Sequence, residues 1–141
     1  MQSISADHEL ATRLRLALAR GARRLRQEAG TDLSPSLMSA LATVEQRGPL
    51  TPSELAVRER VQRPTVTRIV CRLEEAGLVA RAADPADRRS ALISVTAAGR
   101  SLLAAGRTRK DAFLSERLEA LGPEDRATLE RAATLLEGML E

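Results

Sequence analysis

Residues 83–96 read ADPADRRSALISVT. Asp84, Pro85 and Asp87 are turn-forming types, and Arg88 and Arg89 stand side by side among them. Beyond the turn, Ala91, Ile93 and Val95 are interleaved with Leu92 and Ser94, a strand pattern, and LVARAA (78–83) supplies a strand before it. Two strands joined by such a turn predict a hairpin with two adjacent cations at its tip. Asp84 or Asp87 is expected to hold one guanidinium while the other points outward.

Upstream, LTPSELA (50–56) carries a helix start. Thr51 can cap, Pro52 fits the first turn, and Glu54 stands three residues after Thr51, the spacing of a capping box. This helix is short, because a second begins near Pro64. In the second, Val66, Ile69, Val70 and Leu73 fall on one face at i, i+3, i+4 and i+7, and Gly77 follows as a stop. The opposite face holds Thr67, Arg68, Cys71 and Arg72, with Arg63 and Thr65 near its start. Two short helices with a tight turn suggest a helix-turn-helix, whose second helix enters the major groove of DNA. Guanidinium and hydroxyl groups are what base edges and phosphates require. A hairpin after such a pair is a wing, and a narrow minor groove concentrates the negative potential that attracts arginine. The competing readings are an ordinary solvated helix face and a hairpin whose charges only keep its edge soluble. The two features together favour double-stranded DNA as the partner.

The flanks are helical. Leu10, Leu14, Leu18, Gly21 and Leu25 form one stripe of a helix predicted from Asp7 to Glu28. Ser34 and Pro35 start another, with Leu37, Leu41 and Val44, ended by Gly48-Pro49. Ala97-Ala98-Gly99 opens a long helix to about Leu121, through Leu103 and Phe113, with Gly106 inside it. Gly122-Pro123 starts the last, where Leu129, Ala133, Leu136 and Leu140 line up. The first helix and the last two carry more apolar surface than a small winged domain can cover, which predicts a two-fold partner, a homodimer. The fold class is therefore mostly α with a small β-hairpin wing: a winged helix-turn-helix DNA-binding domain plus a helical dimerisation region.

Bulk properties agree. A chain of 141 residues suits one domain, and 43% hydrophobic residues supply a core. Phe113 is the only aromatic residue, so that core is aliphatic. Basic residues outnumber acidic ones nine to six in 51–100, whereas 101–141 has six against eight. A basic middle beside an acidic tail fits an anionic partner, although arginine dominance also follows from a GC-rich genome. Cys71 is the only cysteine and His8 the only histidine, excluding an internal disulfide and an ordinary Cys/His zinc site. No cofactor is expected. No glycine-rich phosphate loop is present and no carboxylates cluster in a pocket-like context, so the chain does not read as an enzyme. The N-terminus lacks a secretory pattern and no window is apolar enough to span a membrane, so a cytoplasmic protein is expected.

LTPSELA (50–56), RPTVTRIVCRLEEAGLVAR (63–81) and DPADRRSALISVTAAG (84–99) together resemble the MarR family of winged helix-turn-helix repressors. The last follows the family's wing pattern, Asp-Pro-x-Asp-Arg-Arg leading into Leu-Thr-x-x-Gly, with Val95 in place of the leucine. The resemblance implies a single MarR-type domain over 1–141, with DNA binding in 34–99 and dimerisation through 7–30 and 100–140. It places Thr65, Thr67 and Arg68 against bases and phosphates, with Arg72 on the same face. Arg88 and Arg89 become the wing cations, Arg89 paired to Asp87, and Ser53 and Arg63 become phosphate contacts. Leu14, Met38 and Leu41 either line an effector pocket or are simply core. The function implied is repression at a pseudo-palindromic operator, released by a small apolar or phenolic ligand; the alternative is an architectural DNA binder without an effector. Two positions depart from the family. Arg60 stands where members often carry Gly in the turn, which demands either strain or a turn without positive φ. Cys71 stands where Asp is frequent, either as a small residue beside DNA or as a redox-sensitive thiol next to Arg68 and Arg72.

Overall fold

Ser34 and Thr51 decide where two helices of the central fold begin. In the computed structural model, which describes residues 2–141, the Ser34 hydroxyl accepts from the Leu37 N–H at 3.3 Å and opens α2 (Pro35–Arg47). Thr51 opens α3 (Pro52–Glu59) in the same way, accepting from the Glu54 N–H at 3.2 Å. Its hydroxyl also donates to the Glu54 carboxylate at 3.0 Å, so this pair closes side chain to side chain. Each such cap stabilises its helix by about 1 kcal/mol.

The second helix of the pair is α4 (Arg63–Glu75), and its predicted stripe of Val66, Ile69, Val70 and Leu73 is buried throughout. It stops at Gly77, which adopts φ +74°. The Gly77 N–H donates to the Glu74 carbonyl and the Leu78 N–H to the Leu73 carbonyl, both at 2.9 Å. This double closure ends a helix cleanly and needs the left-handed conformation that glycine adopts freely.

The chain then forms β1 (Val79–Ala83) and β2 (Ala91–Val95), antiparallel, in a register running from Val79 opposite Val95 to Ala83 opposite Ala91. Ile93 is fully buried at the centre of β2. It also exchanges two backbone hydrogen bonds with Leu50, at 2.7 and 3.0 Å, anchoring the wing to the segment before α3. Nothing in the local pattern around Leu50 announces this bridge.

Helix α5 (Ala97–Glu119) follows, then α6 (Pro123–Met139). The expected end of α5 near Leu121 moves back to Glu119, because the Leu121 N–H already closes a tighter turn on the Leu118 carbonyl at 3.1 Å. The first helix, α1 (Gln2–Glu28), begins before the predicted Asp7, since neither proline nor glycine interrupts SISA (3–6).

The chain divides into two compact units: Ala29–Arg107, and the residues up to Glu28 together with Thr108–Glu141. The central unit owns the hydrophobic core. Leu41, Val44, Leu55, Val66, Val70, Leu73 and Ile93 are its fully buried large side chains. Burial of each contributes about 1.5–3 kcal/mol, before the entropy of ordering the chain is set against it. The terminal unit is different. No residue of α6 is buried, and Phe113 is half-buried between the guanidinium groups of Arg117 and Arg24, at 3.5 and 5.0 Å from its ring centroid.

The wing leaves the core through a tight junction. The Thr96 hydroxyl donates to the Gly77 carbonyl at 2.6 Å and accepts from the Gly99 N–H at 3.1 Å. Gly99 has no room for a side chain: a Cβ there would lie 2.3 Å from the Leu78 carbonyl oxygen and 2.8 Å from a Val95 methyl carbon. Gly99→Ala should therefore destabilise the fold by at least about 2 kcal/mol, since backbone must shift to relieve the clash. Denaturant unfolding measures this, and a loss below about 0.5 kcal/mol would show that the junction yields easily.

Candidate nucleic-acid interface

With its apolar stripe inward, α4 leaves Arg63, Thr67, Arg68, Cys71 and Arg72 exposed and Thr65 half-buried. Arg63 donates through Nη1 to the Ser53 hydroxyl at 2.6 Å, so the first turns of α3 and α4 are tied by two residues singled out from the sequence. The Thr67 hydroxyl donates to the Arg63 carbonyl one helical turn back, at 3.1 Å, leaving its oxygen able to accept. Arg68 Nη2 lies 3.5 Å from the Thr65 hydroxyl, the outer limit of a hydrogen bond. Thr65, Arg68 and Arg72 also border an open cleft of about 240 Å³, completed by Ile69, by the capping Ser34 and by Ser36 and Leu37 of α2.

The turn joining α3 to α4 resolves the departure at position 60. Arg60 adopts φ 56°, ψ 45°, the left-handed conformation, and is the one non-glycine residue with positive φ among the described residues. For a residue bearing a Cβ this costs roughly 1–2 kcal/mol. The turn is held from several sides. The Arg60 N–H reaches the Ala56 and Val57 carbonyls, the Val61 N–H donates to Ala56 at 3.1 Å, and Val61 packs on the core. The Glu59 carboxylate accepts the Ser39 hydroxyl at 2.7 Å and also the Thr43 hydroxyl, tying the end of α3 to α2.

At the wing tip both aspartates turn inward on the backbone. Asp84 Oδ1 accepts from the Ala86 N–H and Asp87 Oδ1 from the Arg89 N–H, each at 2.9 Å. The expected clasp of a carboxylate on a guanidinium is thus replaced by two side-chain-to-backbone turns. Asp and Asn readily fold the chain this way, and doing so uses the carboxylate locally. Asp87 and Arg89 do meet, but through the arginine's backbone. Arg88 and Arg89 are exposed, and neither has an ion-pair partner among the described residues.

Sequence reasoning overlooked Arg81. It reaches from β1 to α4, with Nη2 3.7 Å from the Cys71 sulfur and Nε 3.3 Å from a Glu74 carboxylate oxygen. Arg68 and Arg72, expected beside the thiol, do not make that contact. Proximity across a helix–strand junction is a tertiary matter with no signature in residue spacing. Of the effector-pocket candidates, Leu41 is fully buried in the central core and Met38 is half-buried against it. Leu14 is half-buried on α1, in the other unit. Among the described residues no three metal-ligating side chains converge, and no helix is long and apolar enough to cross a membrane.

Comparison with known proteins fits this geometry. A family model described as the MarR family matches residues 33–91. The HTH-type transcriptional regulator MT0903.1 of Mycobacterium tuberculosis is 38% identical over 139 residues, spanning 98% of this chain and 97% of its own. A solved structure described as a candidate transcriptional regulator of Pseudomonas aeruginosa PA01 superposes with a TM-score of 0.87 at 34% identity, covering 96% of each chain. A MarR family protein from Bacillus stearothermophilus superposes with a TM-score of 0.78 at 26% identity, over 94% of this chain and 93% of its own.

Because the Asp87 carboxylate organises only the wing tip, Asp87→Ala should change global stability by no more than about 0.5 kcal/mol. Amide hydrogen exchange should nevertheless accelerate across residues 84–90, measured by mass spectrometry against the unchanged chain. Unaltered exchange there would mean that the aspartate does not order the tip.

Proposed function

The chain belongs to the MarR family of transcriptional regulators, and on that premise we propose that it is a homodimeric, sequence-specific repressor that binds pseudo-palindromic DNA. It is a regulator and not an enzyme. The observation that carries the reading is the pair of exposed tip cations, Arg88 and Arg89, whose neighbouring carboxylates are already engaged with backbone. Their charge is left for a partner outside the chain, and a DNA groove is the anionic surface a narrow hairpin tip fits.

In this reading 34–99 is the DNA-binding region. Helix α4 enters the major groove, with Thr65, Thr67, Arg68 and Arg72 facing bases and phosphates, while the wing enters the adjacent minor groove. Ser53 and Arg63 already share a 2.6 Å hydrogen bond and together meet one phosphate. Asp87 shapes the tip that carries the arginines.

Residues 7–30 and 100–140 form the dimerisation region. The supporting observation is exposed apolar surface: Leu135 and Met139 of α6 are 62% and 66% exposed, and Leu10 and Leu18 of α1 also lie open. A second copy covers such faces and sets two α4 helices about one DNA turn, roughly 34 Å, apart. Release by a small apolar or phenolic ligand completes the proposal, with Leu14, Met38 and Leu41 as candidate contacts, and the site of action is the cytoplasm.

A mobility-shift assay on the DNA flanking the chain's own gene tests this. Preference for that duplex over a scrambled one is expected, with log affinity falling by about 0.9 per log salt for each phosphate neutralised. Equal binding to both duplexes at all salt concentrations would instead favour an architectural role. Arg88→Ala with Arg89→Ala should weaken binding at least tenfold and leave the unfolding midpoint unchanged. In sedimentation, Leu135→Glu with Met139→Glu should convert a dimer to monomer; a wild-type monomer at micromolar concentration would overturn the dimer.

A further inference from the structure

Residue 60 is committed to the left-handed conformation by everything around it except its own side chain. The carbonyls of Ala56 and Val57 take its N–H, Val61 is drawn onto the core, and Glu59 is tied to two hydroxyls of α2. Glycine occupies such a position without penalty, and the chain places it there at Gly77 and Gly30, at φ +74° and +69°. At position 60 it places arginine instead and accepts the strain.

Arg60 is exposed and has no ion pair among the described residues. Its charge lies just past the end of α3, where the helix dipole favours a cation, but Arg58 already occupies that last turn. Strained residues persist where the conformation or the side chain has work to do. Position 60 stands between the two helices that Ser53 and Arg63 join, three residues before the start of the exposed α4 face.

We propose that Arg60 is a further DNA-binding residue, its guanidinium neutralising a backbone phosphate beside the groove that α4 enters. The inference rests on the DNA-binding reading above and adds to it a residue that spacing and motif do not assign. Phosphate is the partner because Arg60 stands on the turn before α4 and not on its exposed face, so its cation meets the DNA backbone beside the groove. Strain and binding therefore trade against each other at one side chain.

Arg60→Gly separates the two effects. It should raise the unfolding midpoint by a few degrees while weakening operator binding several-fold. The loss should be uniform across sequence variants of the operator. The slope of log affinity against log salt should flatten by about 0.9 for each phosphate contact removed, two per dimer. Arg60→Lys, which keeps the charge and the strain, should retain the wild-type slope. If Arg60→Gly binds with wild-type affinity and slope, or if it unfolds at a lower temperature, the assignment is wrong. The double substitution at Arg88 and Arg89 serves as the control. If it loses binding while Arg60→Gly does not, DNA binding stands and only the role of Arg60 falls; if wild type itself shows no DNA binding, the broader reading fails first.

Discussion

Burying Val66, Ile69, Val70 and Leu73 together fixes the rotation of α4 about its own axis, and the remaining features of the interface follow from that rotation. With one face committed to the core, Thr67, Arg68, Cys71 and Arg72 are left on the exposed side of the helix. A helix rotated by one position would bury the guanidinium groups of Arg68 and Arg72 in one direction or the Glu74 carboxylate in the other, at a cost far above the worth of any surface contact. The exposed face of α4 is therefore specified by the apolar residues on the opposite side. Caps at Ser34 and Thr51 start the two preceding helices, and the closure at Gly77 ends α4 where the hairpin must begin.

The wing depends on a second set of restraints at its base. Leu50 pairs with Ile93, Thr96 bridges Gly77 to the first turn of α5, and Gly99 lets that turn approach the Leu78 carbonyl. These contacts hold the two strands from below while the tip is shaped by its own aspartates. Division of labour between base and tip leaves Arg88 and Arg89 without internal duties.

The two compact units contrast in how they satisfy their apolar residues. The central unit buries a full aliphatic core, whereas no residue of α6 is more than half-buried and α1 leaves Leu10 and Leu18 open. The single aromatic residue reflects the same economy. Phe113 contributes a face for two arginines rather than the centre of a core.

Much of this was legible in the chain itself, because periodicity, caps and turn chemistry are local. The four-residue stripe of α4, the capping hydroxyls, the stop at Gly77 and the DPADRR turn each need only near neighbours in sequence to declare themselves. Those determined a helix-turn-helix followed by a hairpin, and which side chains lie on the exposed face. What required the tertiary structure were contacts between elements distant in sequence. Arg81 beside Cys71, Glu59 joined to Ser39 and Thr43, Leu50 paired with Ile93, and the inward turn of Asp84 and Asp87 all depend on where neighbouring backbone arrives. So does the left-handed conformation of Arg60. A sequence offers no reason to put arginine there, and only the packing of α3, Val61 and α2 around the turn imposes that backbone on it.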